Sequence, residues 1–148
     1  MNSKTCEIKY KKHDKTLSGP VQKTSGSAGA DLCAREETTI LGNCFGYIPL
    51  NVSIKAPENS FVILAARSSL HKTGLIPANG IGIMDTDFCG DNDEYKLIVF
   101  NTKSSDVKIE KGQRVAQIIL FNKLPCEFTE VDSLDSPDRG GIGSTGRF

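Results

Sequence analysis

Short apolar runs, parted by clusters of Gly, Pro, Asn, Asp and Ser, recur along the 148 residues at fairly even intervals. Cys6–Tyr10 alternates weakly. Phe45–Ile54, FGYIPLNVSI, sets β-branched and aromatic residues on alternate positions, the period of a half-buried strand. Phe61–Ala65, FVILA, is a continuous apolar run short enough for a buried strand. Tyr95–Asn101, Val107–Ile109 and Val115–Phe121 complete the set. Many short strands with frequent turn signals predict an all-β chain: an antiparallel sandwich, jelly roll or barrel. Helical periodicity is almost absent, and Ser68–Lys72 is the best candidate for a single helical turn.

The pattern changes at Ser133. From there the chain reads SLDSPDRGGIGSTGRF, which is too polar and glycine-rich to bury a core. The expected division is a β domain over 1–132 and a flexible tail over 133–148. Glycines let backbone N–H groups approach an anion closely, and Arg139, Ser144 and Thr145 add donors. A frayed terminus is the plainer alternative.

Composition narrows the function classes. Eighteen basic residues balance eighteen acidic ones, so no overall field recruits nucleic acid or an anionic membrane. No apolar stretch is long enough for a helical span, and MNSKTCEIKYKKHDK lacks the apolar region of a secretory signal. The five cysteines, at 6, 33, 44, 89 and 126, are odd in number and never at CxxC spacing. They read as free thiols in a reducing compartment. The expected location is the cytoplasm, or the nucleus in a eukaryotic source. His13 and His71 are too far apart for an HxxxH metal pair, and His13 reads as solvated.

Five segments concentrate chemistry. Ala28–Ala34, AGADLCA, carries Asp31 in what reads as a small-residue turn. Ala65–His71, AARSSLH, places Arg67, Ser68 and Ser69 after an apolar strand, either as a phosphate cradle or as a serine cap with a surface arginine. Asn79–Gly90, NGIGIMDTDFCG, reads as a β-hairpin in which Asp85 and Asp87 share a face if extended, beside the flat ring of Phe88. Gly112–Leu120 sets Gln117 inside an apolar strand, where a buried amide needs a backbone or ligand partner. The glycine-rich tail is the fifth.

In order, AGADL, ARSSL, NGIGIMDTDF, GQRVAQ and RGGIGSTG resemble the five motifs of the trimeric dUTPase family, over about Ala28 to Gly146. The resemblance implies a jelly-roll-like β-barrel with one short helix, assembled as a homotrimer whose sites lie between subunits. It implies hydrolysis of dUTP to dUMP and pyrophosphate with Mg²⁺, which limits uracil incorporation into DNA and supplies dUMP for thymidylate synthesis. Asp85 matches the acid that activates water for attack at the α-phosphate, and Asp31 matches an acid near the metal-bound water, the Mg²⁺ sitting mainly on the phosphates. Arg67, Ser68, Ser69 and Gln117 match phosphate-facing positions. Asn79 matches an amide near the uracil, and the backbone of Gly82, Ile83 and Met84 a reader of its edge. Phe88 matches the ring under the deoxyribose, and Lys96 a weaker backbone contribution. Arg139, Ile142, Gly143, Ser144 and Thr145 match the closing tail.

The chain departs from the family pattern in three places. Phe88 replaces a usual Tyr, keeping the stacking face without the hydroxyl. Ile142 replaces a usual Phe, with a shorter spacer after Arg139, so the base can be covered but not stacked. Asp91-Asn92-Asp93 looks inserted and reads as a solvated loop. Two alternatives stand beside this reading: a dCTP deaminase of the same fold, and a dUTPase-like nucleotide-binding or regulatory module with weakened turnover, to which Ile142 and the shortened tail point.

Overall fold

The computed structural model describes residues 5–143 and Gly146; Ser144 and Thr145 lie outside the described residues. Strands β1 (Lys9–Lys12), β2 (Ala30–Cys33), β3 (Thr38–Ile40), β4 (Phe45–Pro49), β5 (Val52–Lys55) and β6 (Ser60–Ala66) lead to a 3₁₀ turn at Leu70–Thr73. Strands β7 (Leu75–Pro77), β8 (Gly82–Met84), β9 (Lys96–Asn101), β10 (Val107–Ile109) and β11 (Arg114–Asn122) follow. All pairings are antiparallel. They build a four-stranded sheet β2–β11–β6–β8, a three-stranded sheet β4–β9–β7, and two-stranded ribbons β1–β5 and β3–β10. This is the all-β antiparallel architecture that the spacing of apolar runs predicts, in the jelly-roll-like form that the family resemblance implies.

One core joins the sheets. Leu32, Val62, Leu64, Val115 and Ile118 enter from the larger sheet, and Ile48, Leu75, Leu97 and Val99 from the smaller. Each fully buried side chain of this kind stabilises the fold by about 1.5–3 kcal/mol relative to an exposed one. Strand β6 shows the alternation directly: Val62 and Leu64 are buried, whereas Phe61 and Ile63 on the other face are only half-buried. The FVILA run is thus buried on one face in the single chain. Its second face continues through Phe121, which stacks on Phe61 at 5.8 Å, and through Ile83, which is 57% exposed.

Several local expectations are corrected. Phe45–Ile54 is two strands, because Asn51 adopts a left-handed φ of 70° and breaks the pleat. Asn51 is buried there, its Oδ1 accepting the Asp14 N–H at 2.6 Å and its Nδ2 donating to the Asp14 carbonyl at 3.1 Å. AGADLCA is largely strand β2 rather than a turn, since Ala30–Cys33 pair with β11 and Leu32 packs in the core. Asn79–Gly90 is not a hairpin: β7 pairs with β9 while β8 pairs with β6, so the chain crosses from one sheet to the other. His13 is half-buried and shares a hydrogen bond with the Ser53 hydroxyl at 2.8 Å, instead of being solvated. The first strand falls at Lys9–Lys12, later than the weak alternation at Cys6–Tyr10 suggests. All five thiols are free, and burial pushes the Cys33 thiol up from its ordinary value. No helix among the described residues is long and apolar enough to cross a membrane.

Candidate functional site

Asp31 and Gln117 face each other across the β2–β11 pair. Arg67 leaves the end of β6, the other neighbour of β11, and donates its N–H to the Val115 carbonyl at 3.1 Å. Its Nε reaches Asp31 Oδ2 at 3.0 Å. The same oxygen is met by Nη1 of Arg114 at 3.4 Å. The Gln117 amide donates to the Ala66 carbonyl at 3.1 Å, which answers the partner question for a half-buried amide with a backbone group. Gly29 permits this packing, because a Cβ there would lie 2.8 Å from Gln117 Oε1 and 3.0 Å from the Ile118 carbonyl oxygen. Asp31, Arg67, Ser68 and Gln117 line one hollow of about 260 Å³, joined by Lys23 and Ser27 from the preceding loop. Two basic groups, Lys23 and Arg67, line it with hydroxyl and amide donors around a single paired carboxylate, an arrangement suited to a multiply charged anion. Ser69 stands just outside this hollow as the residue before the 3₁₀ turn, and its side chain makes no capping bond. The helical turn expected at Ser68–Lys72 is this shorter element.

A second group forms around the crossing between the sheets. Asn79, Gly82, Ile83, Met84, Phe88 and Lys96 line one cleft of about 400 Å³. Its floor and walls are mixed, with Leu64, Tyr47 and Ile98 apolar and Glu94 acidic. Phe88 stacks on the buried ring of Tyr95, with centroids 6.2 Å apart and planes 25° apart. Burial pushes the Tyr95 phenol up to about 12. Glu94 Oε2 accepts from Arg35 Nε at 2.7 Å and from the Asn51 N–H at 3.1 Å, and this bond raises the Arg35 guanidinium above its ordinary value. The cleft has the size and the apolar lining with few polar groups that small-ligand sites share.

Asp85 and Asp87 sit next to that cleft, in a hollow that shares Ile83 with it and adds Phe61 and Lys123. They do not lie on an extended segment: the Phe88 N–H bonds the Asp85 carbonyl at 3.1 Å, closing a turn, and the Thr86 hydroxyl donates to the Ser60 carbonyl. Both acids are exposed. Among the described residues the tail, 133–143, is exposed throughout. Arg139 and Gly143 are exposed, as is Ile142, which makes no apolar contact that covers it.

Tyr47 and Glu94 line the Phe88 cleft, and Arg114 meets Asp31 from a neighbouring hollow, without having been singled out by sequence. Arg114 was hidden by parity, since residues 114 and 117 of a regular strand point to opposite faces. A register shift between Arg114 and Ala116 turns the arginine toward Asp31.

The dUTPase family model matches residues 1–146, nearly the whole chain. The chain belongs to the dUTPase family. A SPbeta prophage-derived deoxyuridine 5'-triphosphate nucleotidohydrolase of Bacillus subtilis is 36% identical over 142 residues, covering 95% of this chain and 98% of that protein. A deoxyuridine 5'-triphosphate nucleotidohydrolase of Desulfitobacterium hafniense is 38% identical over 154 residues, with 99% of each covered. Among solved structures, a Staphylococcus bacteriophage 80alpha dUTPase with dUpNHpp superposes with a TM-score of 0.84 at 20% identity, over 97% of this chain and all of that one. The dUTPase of Streptococcus mutans gives 0.72 at 24% identity, over 80% of this chain and 98% of that one. These last two show that the fold is that of dUTPases; the family model and the nucleotidohydrolases carry the assignment. Among the described residues of this dUTPase, no three carboxylate, imidazole or thiol groups gather to hold a metal ion.

Proposed function

We propose that this dUTPase hydrolyses dUTP to dUMP and pyrophosphate, with the nucleoside in the Phe88 cleft and the triphosphate drawn to the Asp31–Arg67–Gln117 hollow. The observation that carries the reading is that the six positions matched to the nucleoside converge on one cleft, while Arg67, Ser68 and Gln117 converge on a separate basic one. Asp85 accepts a proton from water as the new oxygen–phosphorus bond forms at the α-phosphorus. The bond from that phosphorus to the bridging oxygen breaks, and pyrophosphate leaves. Such positioned general bases contribute about 10²–10⁴-fold to rate.

A divalent metal suits the donor set only as a passenger on the phosphates. One oxygen of Asp31 is taken by two arginines, which leaves the other for a metal-bound water. Mg²⁺ bound there supplies neutralisation of phosphate charge.

The assembly we propose is a homotrimer with sites shared between subunits. The two hollows share no lining residue, and Asp85 borders the open apolar face of Phe61, Ile83 and Phe121. Beyond β11, Leu124, Phe128 and Leu134 are all more than four-fifths exposed, as a segment awaiting a neighbour's surface would be. The tail over 133–148 then serves another subunit's site, where Arg139, Ile142, Gly143, Ser144 and Thr145 close on the phosphates.

Pyrophosphate release from dUTP with Mg²⁺ tests the activity, with dCTP as the control. Ammonia from dCTP would replace the reading with a deaminase, and binding without release would replace it with a nucleotide-sensing module. Light scattering tests the assembly. So does mixing Asp85→Asn chains with chains truncated before Arg139, which should restore part of the activity because some shared sites draw intact parts from each.

A further inference from the structure

We propose that Thr86 is a positioning residue for Asp85: its hydroxyl, donated to the Ser60 carbonyl, holds the turn that presents the Asp85 carboxylate to water. The inference rests on the reading of Asp85 as the proton acceptor, given above.

Strand β8 pairs with β6 in a register that sets Gly82 opposite Leu64, Ile83 opposite Ile63 and Met84 opposite Val62. Each step forward on β8 is one step back on β6, so the same register carried onward sets Thr86 opposite Ser60, the first residue of β6. The backbone does not follow it that far. Beyond Met84 the chain turns, and the Phe88 N–H closes on the Asp85 carbonyl at 3.1 Å. The Thr86 hydroxyl takes up the pairing instead and donates to the Ser60 carbonyl. A side chain thus replaces a main-chain bond where the ladder ends. Ser60 is a firm partner. It is buried, its own hydroxyl donates to the Pro57 carbonyl, and across its other edge it pairs with Asn122 of β11.

Asp85 stands between two anchors, the Met84–Val62 pair before it and the Thr86–Ser60 bond after it. Thr86 is half-buried, whereas the acids on either side of it, Asp85 and Asp87, are exposed. The turn therefore points its one hydroxyl inward and its two carboxylates outward. Among the described residues the Asp85 carboxylate has neither a hydrogen-bond partner nor an ion pair, so its backbone sets where it points. Without the hydroxyl the turn is free to pivot about Met84. A misplacement of about 1 Å at a reacting group costs up to about 10²-fold in rate. The single proton of the Thr86 hydroxyl is committed to Ser60, so Thr86 acts through Asp85 and not on the substrate.

Steady-state kinetics of pyrophosphate release from dUTP test this. Thr86→Val keeps the shape and removes the hydroxyl; it should lower kcat roughly 10-fold with KM held within about two-fold. Thr86→Ser restores the hydroxyl and should recover most of the loss. Thr86→Ala should show the same split as the valine variant, which separates the missing hydroxyl from a methyl pressed on the Ser60 carbonyl. On an Asp85→Asn background Thr86→Val should have almost no further effect, because the group it positions is already gone. An unchanged kcat in Thr86→Val, equal losses in Thr86→Ser and Thr86→Val, or the full loss added again on the Asp85→Asn background overturns the proposal. Normal turnover in Asp85→Asn alone would instead overturn the reading of Asp85 on which it stands, and that variant tells the two failures apart.

Discussion

Asp31 and Gln117 are direct cross-strand partners, which places an acid and an amide from distant parts of the chain on one face of one sheet. Around them Arg67 and Arg114 converge on a single carboxylate oxygen, so Asp31 orients two guanidinium groups at once. The charge left over on the arginines is what a triphosphate would meet.

Arg114→Met removes one of those groups and leaves Asp31 with Arg67 alone. KM for dUTP should rise about ten-fold, equivalent to about 1.4 kcal/mol, with a smaller change in kcat. Arg114→Lys should recover only part of this, because an ammonium cannot reproduce the planar fork. Steady-state kinetics decide it, and an unchanged KM in Arg114→Met would remove the arginine from the phosphate site.

Asp85→Asn keeps the side-chain shape and removes the proton acceptor. Turnover should fall about 10²–10⁴-fold. Binding of a non-hydrolysable dUTP analogue, followed by calorimetry, should change far less. If turnover stays near normal, the base is another group, and Asp87 in the same hollow is the next to test.

Asn51→Ala should cost about 2–4 kcal/mol of stability, from its hydrogen bonds to the Asp14 backbone and from a left-handed φ without an amide to favour it. Urea unfolding measures this. Asn51→Gly should lose less than the alanine variant, since glycine tolerates the backbone conformation. Equal losses would mean that the hydrogen bonds account for all of the effect.

Tyr95 links stability to alkaline pH. Burial raises its pKa from 10.0 unfolded to about 12 folded. Between those values the unfolded chain binds fewer protons than the folded one, so stability falls as pH rises through that window. Tyr95→Phe should flatten the dependence, read by thermal unfolding at a series of pH values. A curve of the same slope in the variant would assign the loss to other groups.

Acid stability carries the opposite sign. The Lys111 ammonium, 2.6 Å from Asp14, holds that carboxyl far below its usual range, aided by the Thr16 hydroxyl and N–H. Its contribution is present above the ordinary carboxylate pKa and is lost as pH falls toward the depressed value. Asp14→Asn should therefore unfold with a weaker dependence on pH in acid, and a dependence like the parent's would assign acid unfolding to other carboxylates.

The sequence by itself determined that the chain is a β protein, because strand periodicity and turn residues act locally. Phe61–Ala65, Val107–Ile109 and Val115–Phe121 fall on strands, as does Tyr95–Asn101 apart from its first residue. It also determined the family, because the five ordered motifs survive as linear strings whatever their spatial arrangement. Tertiary structure decided what local pattern cannot encode. Asn51 splits one apparent strand in two because its left-handed backbone is held by Asp14, from a distant segment. NGIGIM looks like half of a hairpin, yet Gly82–Met84 pairs with β6, because long-range pairing is set by which sheet offers a free edge. Arg114 reaches Asp31 only through a register shift that no periodicity reveals. Sequence order names the chemical groups; hydrogen-bond registers and bulges, fixed only when the sheets assemble, decide which of them face the same cavity.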